Sequence, residues 1–382
     1  IDLCRKRYDA VVMNPPFGEA SKNLMRVCDT KYPAWNRNVL CAFVEQNLSA
    51  AADTGFVASV IDRSFLNKST YEDFREQCLL QNDLLDFVLD LGWEVLDANV
   101  EVSSVILRST SHAGISTTQC IDVRDVEPAE KDANLLEIAL GNWANAERVY
   151  QHSTTLFSSF PNQAVVYDLP DELLSAFSRY RNLKDQDLTS FTGHQLESFR
   201  HFMLFWELPL DASISPQGDY CHLYNGGEYS RFANLPQDVV RFGYFAELRP
   251  QDVPTYTYVL RNKEQHFLPG VCFGVRGDLL DAHLLPAGHL FTVEGQALPT
   301  PDLKTAFLIL AFLNSSVASR LLNTFSGQHK YSGYVNLLPF PHPEASVEED
   351  LASASETAVR IKREAFTACE NSVVFRAPSW IG

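Results

Sequence analysis

The apolar run Tyr8 to Met13 (YDAVVM) ends against Asn14-Pro15-Pro16. Two consecutive prolines lack the N–H groups that a sheet ladder needs, so a strand cannot continue through them. The run is therefore read as a short buried strand that stops at Met13. A helix pattern follows over residues 38–52, where Val39, Leu40, Phe43, Val44 and Leu48 share one side and Gly55 reads as the stop. Residues 56–61 (FVASVI) are a second buried strand, and residues 71–80 place Phe74, Cys78 and Leu79 on a helical stripe. Residues 84–89 and 102–107 read as strands, and residues 120–123 as a third of that kind. Strands separated by helices imply an α/β fold with a mostly parallel sheet covered on both faces.

The pattern changes after about residue 150. Residues 185–300 are rich in aromatics, glycine and proline, with short segments and frequent turns, which predicts an irregular β-rich domain. A helical pattern returns from Leu303 to Phe325, and the charge–alanine alternation of residues 348–370 predicts a solvated helix. With 382 residues, two domains are the natural expectation, each able to bury its own core. The expected division is 1–150, 151–345 and a helical tail over 346–382.

Charge and cysteine usage narrow the classes. The chain carries 31 Lys+Arg against 48 Asp+Glu, a net charge of −17, which argues against gripping nucleic acid by bulk charge alone. A local basic groove stays compatible with that balance. The longest unbroken apolar run, residues 306–313, is far shorter than the ~20 residues of a membrane-spanning helix. No basic start with an apolar core behind it is present, so no signal peptide is expected. The eight cysteines never form a C-x-x-C pair and the histidines show no ligand spacing, so no metal site is expected. Scattered thiols fit a reducing cytoplasm.

The strand-ending motif carries chemistry. Asn14-Pro15-Pro16-Phe17 lies at the carboxyl end of a strand, where open α/β sheets bind ligands. An amine conjugated to a ring is a poor nucleophile because its lone pair is delocalised. The Asn14 amide oxygen and the Pro15 carbonyl can each accept one N–H of such an amine. Two acceptors pull the nitrogen toward tetrahedral geometry and localise the lone pair for attack on a sulfonium methyl. Phe17 offers a flat face on which a planar base can stack, worth ~1–3 kcal/mol per base. The plain alternative is a Pro-Pro turn that only terminates a strand.

The segment YDAVVMNPPFG resembles motif IV of the γ-class adenine-N6 DNA methyltransferases. The resemblance continues through AFVEQNLSAAADTGFVASVIDRSFLNKSTYEDFREQCL and LLDFVLDLGWEVLDANVEVSSVILR. Beyond these, TGHQLESFRHFMLFWELP, LYNGGEYSRF, GVCFGVRGDLLDAHLLPAGHLF and LAFLNSSVASRLL…LLPFP resemble a target-recognition region. That succession is similar to the BREX phage-defence methyltransferases (PglX) and the type IIL restriction-modification enzymes. The resemblance implies a partial Rossmann-like methyltransferase sheet followed by a target-recognition domain. It implies S-adenosylmethionine as methyl donor, with Asn14 at the edge of its site, and double-stranded DNA with a flipped adenine as substrate. Asn14, Pro15, Pro16 and Phe17 would be the catalytic residues.

The chain departs from that family in two ways. The family's glycine-rich donor loop precedes motif IV, and only thirteen residues precede Asn14. Residues 273–277 and 325–327 lack the strand–glycine–helix context that would replace it. The expectation is a donor-binding half supplied upstream or by a separate subunit, and an isolated chain that is inactive. Related enzymes also often carry Phe near Leu96, where it walls the flipped base.

Other residues have two readings each. Asp90-Leu91-Gly92 either lines the pocket or forms a turn with a capping Asp, the commoner use. Trp93 either faces the base or, more often for tryptophan, is buried. Gly226 and Gly227, with Arg231 nearby, read equally as a phosphate-binding approach or a hairpin turn. The clusters Arg5-Lys6-Arg7 and Arg179/Arg181/Lys184 read as solvated surface.

Three functions compete. The first is a site-specific DNA adenine-N6 methyltransferase acting in phage defence or restriction-modification, with other defence proteins as candidate partners. The second is a protein-glutamine or RNA methyltransferase, which can share such a motif. The third is a non-catalytic DNA-specificity fragment. A recognition region of more than 150 residues favours DNA, because groove reading needs that surface.

Overall fold

The structure, a computed structural model, describes residues 6–16, 21–35, 39–97, 99–110, 117–141, 147–196, 202–226, 230–241, 258–259, 261–326 and 329–378. Phe17 and Gly227 lie outside the described residues. The chain forms two compact units, Ile1–Ser178 and Arg179–Gly382.

The first unit is built on a six-stranded sheet in the order β1-β2-β4-β3-β5-β6. Its strands are β1 (Tyr8–Met13), β2 (Ala51–Asp62), β3 (Leu85–Gly92), β4 (Val102–Arg108), β5 (Thr117–Asp122) and β6 (Val149–Ser153). The helices are α1 (Lys22–Lys31), α2 (Val39–Ala50), α3 (Glu72–Phe74), which runs into a π-helical turn over Arg75–Leu80, and α4 (Lys131–Leu140). The sheet is mixed rather than mostly parallel. β1 pairs β2 and β3 pairs β5 in parallel, whereas β2–β4, β3–β4 and β5–β6 are antiparallel. Between β3 and β4 the chain has only a short loop, and a connection of that length returns antiparallel.

Gly55 does not stop the helix. The helix ends at Ala50 and Gly55 lies inside β2, beside a register shift in its pairing with β1. A Cβ on Gly55 would sit 2.8 Å from the Tyr8 carbonyl oxygen, so the close approach of two backbones requires glycine there. Arg75, at the start of the π-helical turn, is wholly buried and donates to the carbonyls of Phe65, Lys68, Asn162 and Gln163. It ties the segment after β2 to residues 162–163. Residues 151–178 therefore belong with the first unit, past the expected boundary at 150, since β6 pairs with β5 and Tyr167 bonds to Asp90.

The second unit is irregular and β-rich, as the aromatic and turn content predicts. It holds β7 (Gln195–Leu196), β8 (Phe202–Leu204), β9 (Cys221–Tyr224), β10 (Asp238–Val240), β11 (Tyr258–Val259), β12 (Gly270–Gly274), β13 (His283–Leu285), β14 (Leu290–Phe291) and β15 (Gly295–Pro299). They form small sheets in the orders β14-β9-β10-β8, β11-β7 and β13-β12-β15. Tyr224, Cys272, Leu285, Phe291 and Ala297 make a shared core. The helical stretch from Leu303 divides into α5 (Leu303–Leu313) and α6 (Ser316–Asn323), bent by 65°. The bend follows from Ser315, whose hydroxyl caps the Ala318 N–H and starts a new helix. By length and composition that bent pair alone resembles a broken span; no single described helix is long and apolar enough to cross a membrane.

The last helix, α7 (Ala345–Phe366), is not simply a solvated tail. It packs on α5 through Ala352, Ser355 and Val359, small side chains that let two helices approach.

Candidate functional site

Strand directions place the site. β4 is antiparallel to both β2 and β3, so β1, β2, β3 and β5 all run the same way. Their carboxyl ends at Met13, Asp62, Gly92 and Asp122 lie along one edge of the sheet, the edge that binds ligands in α/β folds. Asn14, Pro15 and Pro16 leave β1 at that edge. Pro15 is buried, while Asn14 and Pro16 are exposed, so the Asn14 amide faces solvent from a stiffened turn. Met13 is held in register by Ser59 of β2. β1 is the terminal strand of this sheet, and its Val12 is 79% exposed.

The next strand end supplies a cation. The Asp62 carboxylate accepts from the Ser64 N–H at 2.8 Å and turns the chain sharply after β2. Arg63 Nε then donates to both carboxylate oxygens of Asp90, at 2.8 and 3.0 Å. Asp90 is wholly buried near the end of β3. It also accepts the Tyr167 hydroxyl at 2.6 Å and lies 3.5 Å from Arg124 Nε. Arg124 in turn reaches Asp122 at 2.5 Å and Asp168 at 2.8 Å. Burial works against the charge of Arg63 and of Arg124, yet Asp90 beside the first and the Asp122 hydrogen bond on the second outweigh it and hold both above the usual arginine value. Burial, reinforced by the Asp90 charge, pushes the Tyr167 hydroxyl far up, so it stays a donor.

Asp90 is thus neither a turn cap nor an exposed pocket wall. It is the centre of a buried ionic network that locks three strand ends together. The loop after β3 is fixed from the other side. Lys131, at the start of α4 and only 6% exposed, donates to the carbonyls of Leu91 at 2.6 Å and Trp93 at 2.8 Å. Trp93 is 42% exposed rather than buried, because its backbone is pinned while its ring finds no core. Leu96 packs on the cluster of Leu91, Val102, Ile121, Val123 and Val126, so it serves the core of this loop. A cleft of ≈ 630 Å³ opens on the same unit beside β5 and β6, where Asp122, Arg124, Asp125, Arg148 and Tyr150 form much of its wall.

In the second unit Gly226 has φ +80°, and a Cβ there would lie 2.7 Å from Glu294 Cβ. Glycine is required at that position by the turn itself. Arg231 pairs with Asp281 at 3.4 Å. In residues 273–277 the Val275 carbonyl accepts the Lys330 N–H and the Gly277 carbonyl accepts the Lys330 ammonium. No group of three or more metal-ligating side chains occurs among the described residues.

The spacing that marks Asn14 is local and readable. Arg63, Arg124, Tyr167 and Lys131 are not singled out by any motif, since their partners are distant in sequence. The one signal for Arg63 is the family resemblance of AFVEQNLSAAADTGFVASVIDRSFLNKSTYEDFREQCL, which contains it.

Residues 3–94 match the Eco57I restriction-modification methylase family. The chain is 21% identical over 391 residues to the adenine-specific methyltransferase PglX of Lacticaseibacillus casei (strain Zhang), covering 97% of this chain and 32% of that protein. It is 23% identical over 333 residues to the adenine-specific methyltransferase BrxX of Escherichia coli O9:H4 (strain HS), covering 82% of this chain and 26% of that one. The chain thus spans about a third and a quarter of the length of these relatives. The type IIL restriction-modification enzyme MmeI, solved in complex with DNA, superposes with a TM-score of 0.59 at 10% identity, over 96% of this chain and 50% of that one. At that identity the likeness is one of fold, and the fold is that of a methyltransferase.

Proposed function

We propose that this chain, with its Eco57I-type methylase segment, is the amine-binding and DNA-reading portion of an adenine-N6 DNA methyltransferase of a restriction-modification or phage-defence system. The observation that carries this reading is the placement of Asn14-Pro15-Pro16 at the carboxyl end of β1, on the edge where β2, β3 and β5 also end. The likeness of nearly the whole chain to a DNA-bound restriction-modification enzyme supports duplex DNA as the partner.

The chemistry follows from the exposed turn. Asn14 Oδ1 and the Pro15 carbonyl accept the two N–H bonds of the adenine N6 amine and localise its lone pair. Phe17, from the motif, stacks on the extruded ring. Arg63, Asp90 and Tyr167 keep the neighbouring strand ends rigid, so the acceptors are set before substrate arrives. S-adenosylmethionine is the proposed methyl donor, and it supplies an electrophilic methyl. The described residues show no strand–glycine-loop–helix unit to hold it. A donor-binding half, upstream or on a separate subunit, completes the site in this proposal.

The test is labelled methyl transfer by the natural protein that contains these 382 residues. Wild type should label duplex DNA at adenine N6. Label on protein or RNA instead would favour a different amine substrate. DNA binding without any transfer would favour a specificity fragment.

A further inference from the structure

The second unit contains a polar pocket of ≈ 250 Å³ that no part of the mechanism above uses. One wall is the end of β9, from Tyr224 through Asn225 to Gly226, and the other is the approach to β10, from Asn234 to Asp238. The Tyr224 hydroxyl donates to the Asn234 carbonyl at 2.9 Å and ties the walls together. β10 pairs with β9 immediately beneath, Val239 opposite His222, so the pocket floor is a sheet rather than a loose loop.

Four polar side chains line this pocket: Asn225, Asn234, Gln237 and Asp238. All four are half-buried, and none has a side-chain hydrogen-bond partner among the described residues. Their donors and acceptors face the solvent in the pocket and are not spent on the protein itself, so they are available to a ligand that displaces that water.

The residue types select the ligand. Three amides each offer both donors and an acceptor, and the carboxylate offers acceptors only. Among the described residues that line the pocket there is no lysine or arginine, the side chains that read the O6/N7 edge of guanine. Asn and Gln read adenine through N6 and N7, and a carboxylate accepts from cytosine N4. A keto oxygen of guanine or thymine would face the Asp238 carboxylate, acceptor against acceptor. We propose that this pocket reads an amine-bearing base, adenine or cytosine, of duplex DNA through Asn225, Asn234, Gln237 and Asp238. This rests on the reading that the chain contacts DNA. Burial pushes the Asp238 carboxyl up, so a donor amine from the base is what favours its ionised, accepting form.

Selection from a random duplex pool with the natural protein that contains these 382 residues tests the proposal. Wild type is compared with Asp238→Asn and with Gln237→Ala, each checked for an unchanged melting temperature, so that one unstable variant does not decide the outcome. The wild-type motif should contain a position restricted to A or C. Either folded variant should relax that position by roughly tenfold and leave the other positions as they were. An enriched motif that both variants reproduce unchanged overturns the pocket as the reader, while DNA reading by the chain stands. Failure of the wild type to enrich any motif overturns DNA reading itself, and this proposal with it.

Discussion

Asp90 and Arg63 stand 27 residues apart, yet Arg63 Nε reaches both oxygens of the buried Asp90 carboxylate, at 2.8 and 3.0 Å. This pair joins the end of β3 to the turn after β2, across the start of β4. With Tyr167 on the same carboxylate, it makes the carboxyl edge of the sheet a rigid platform. A platform of this kind matters because acceptors that must meet a developing charge act best when already in place.

Substituting Asp90 tests the platform. Asp90→Ala leaves the Arg63 charge and the Tyr167 hydroxyl without their shared partner in a water-poor site. Breaking a buried pair from one side costs about 3–5 kcal/mol. The first unit should show that loss in a urea titration, whereas Arg231→Ala, which breaks an exposed pair of the second unit, should cost less than about 1 kcal/mol.

Asn14→Ala removes the side-chain acceptor that the proposed function sets against the adenine amine in the transition state. In the natural protein the single-turnover methylation rate should fall about a hundredfold, a barrier increase of roughly 3 kcal/mol. Affinity for DNA should barely change, since phosphate contacts elsewhere supply most of it. Methylation at the wild-type rate would make the motif a strand-ending turn and nothing more.

Lys131→Met keeps the apolar stem and deletes the ammonium that holds Leu91 O and Trp93 O. The expected stability loss is about 1–3 kcal/mol, the cost of orphaned buried carbonyls. Amide exchange in residues 93–97 should accelerate while β5 stays protected, and equal acceleration in both would mean the lysine does not act locally.

The second unit should be acid-sensitive. Burial lowers His194 to about 3 and His222, His266 and His283 to about 4. Their unfolded value is near 6.5, so the unfolded state binds more protons as pH falls below that value. Stability contributed by keeping these rings neutral is present above pH ~6.5 and is lost as pH falls toward 4. Near pH 5 unfolding should take up roughly four protons, measurable as the slope of unfolding free energy against pH. A flat profile between pH 7 and 5 would contradict the buried neutral histidines.

Much of this protein is written locally. Tyr8–Met13 ends where it does because two prolines remove backbone donors, so the strand, its terminus and the exposed Asn14 follow from neighbouring residues alone. The helix over Val39–Ala50 and the aromatic, turn-rich second unit are legible for the same reason: spacing and turn chemistry act within a few residues. Strand direction is different. The mixed sheet arises because β4 inserts between β2 and β3, and that is decided by pairing between residues 52 apart at Phe56 and Arg108 and 40 apart at Asp62 and Val102. Asp90 looked like a turn residue because its three partners, Arg63, Arg124 and Tyr167, are brought to it only by the sheet. Gly55 looked like a helix stop because its actual constraint is the Tyr8 carbonyl on another strand. Sequence determined where each element begins to form and where the proline motif ends the first strand. Tertiary structure alone decided which charges are buried together, since a carboxylate is stable out of water only once distant cations and donors have been folded against it.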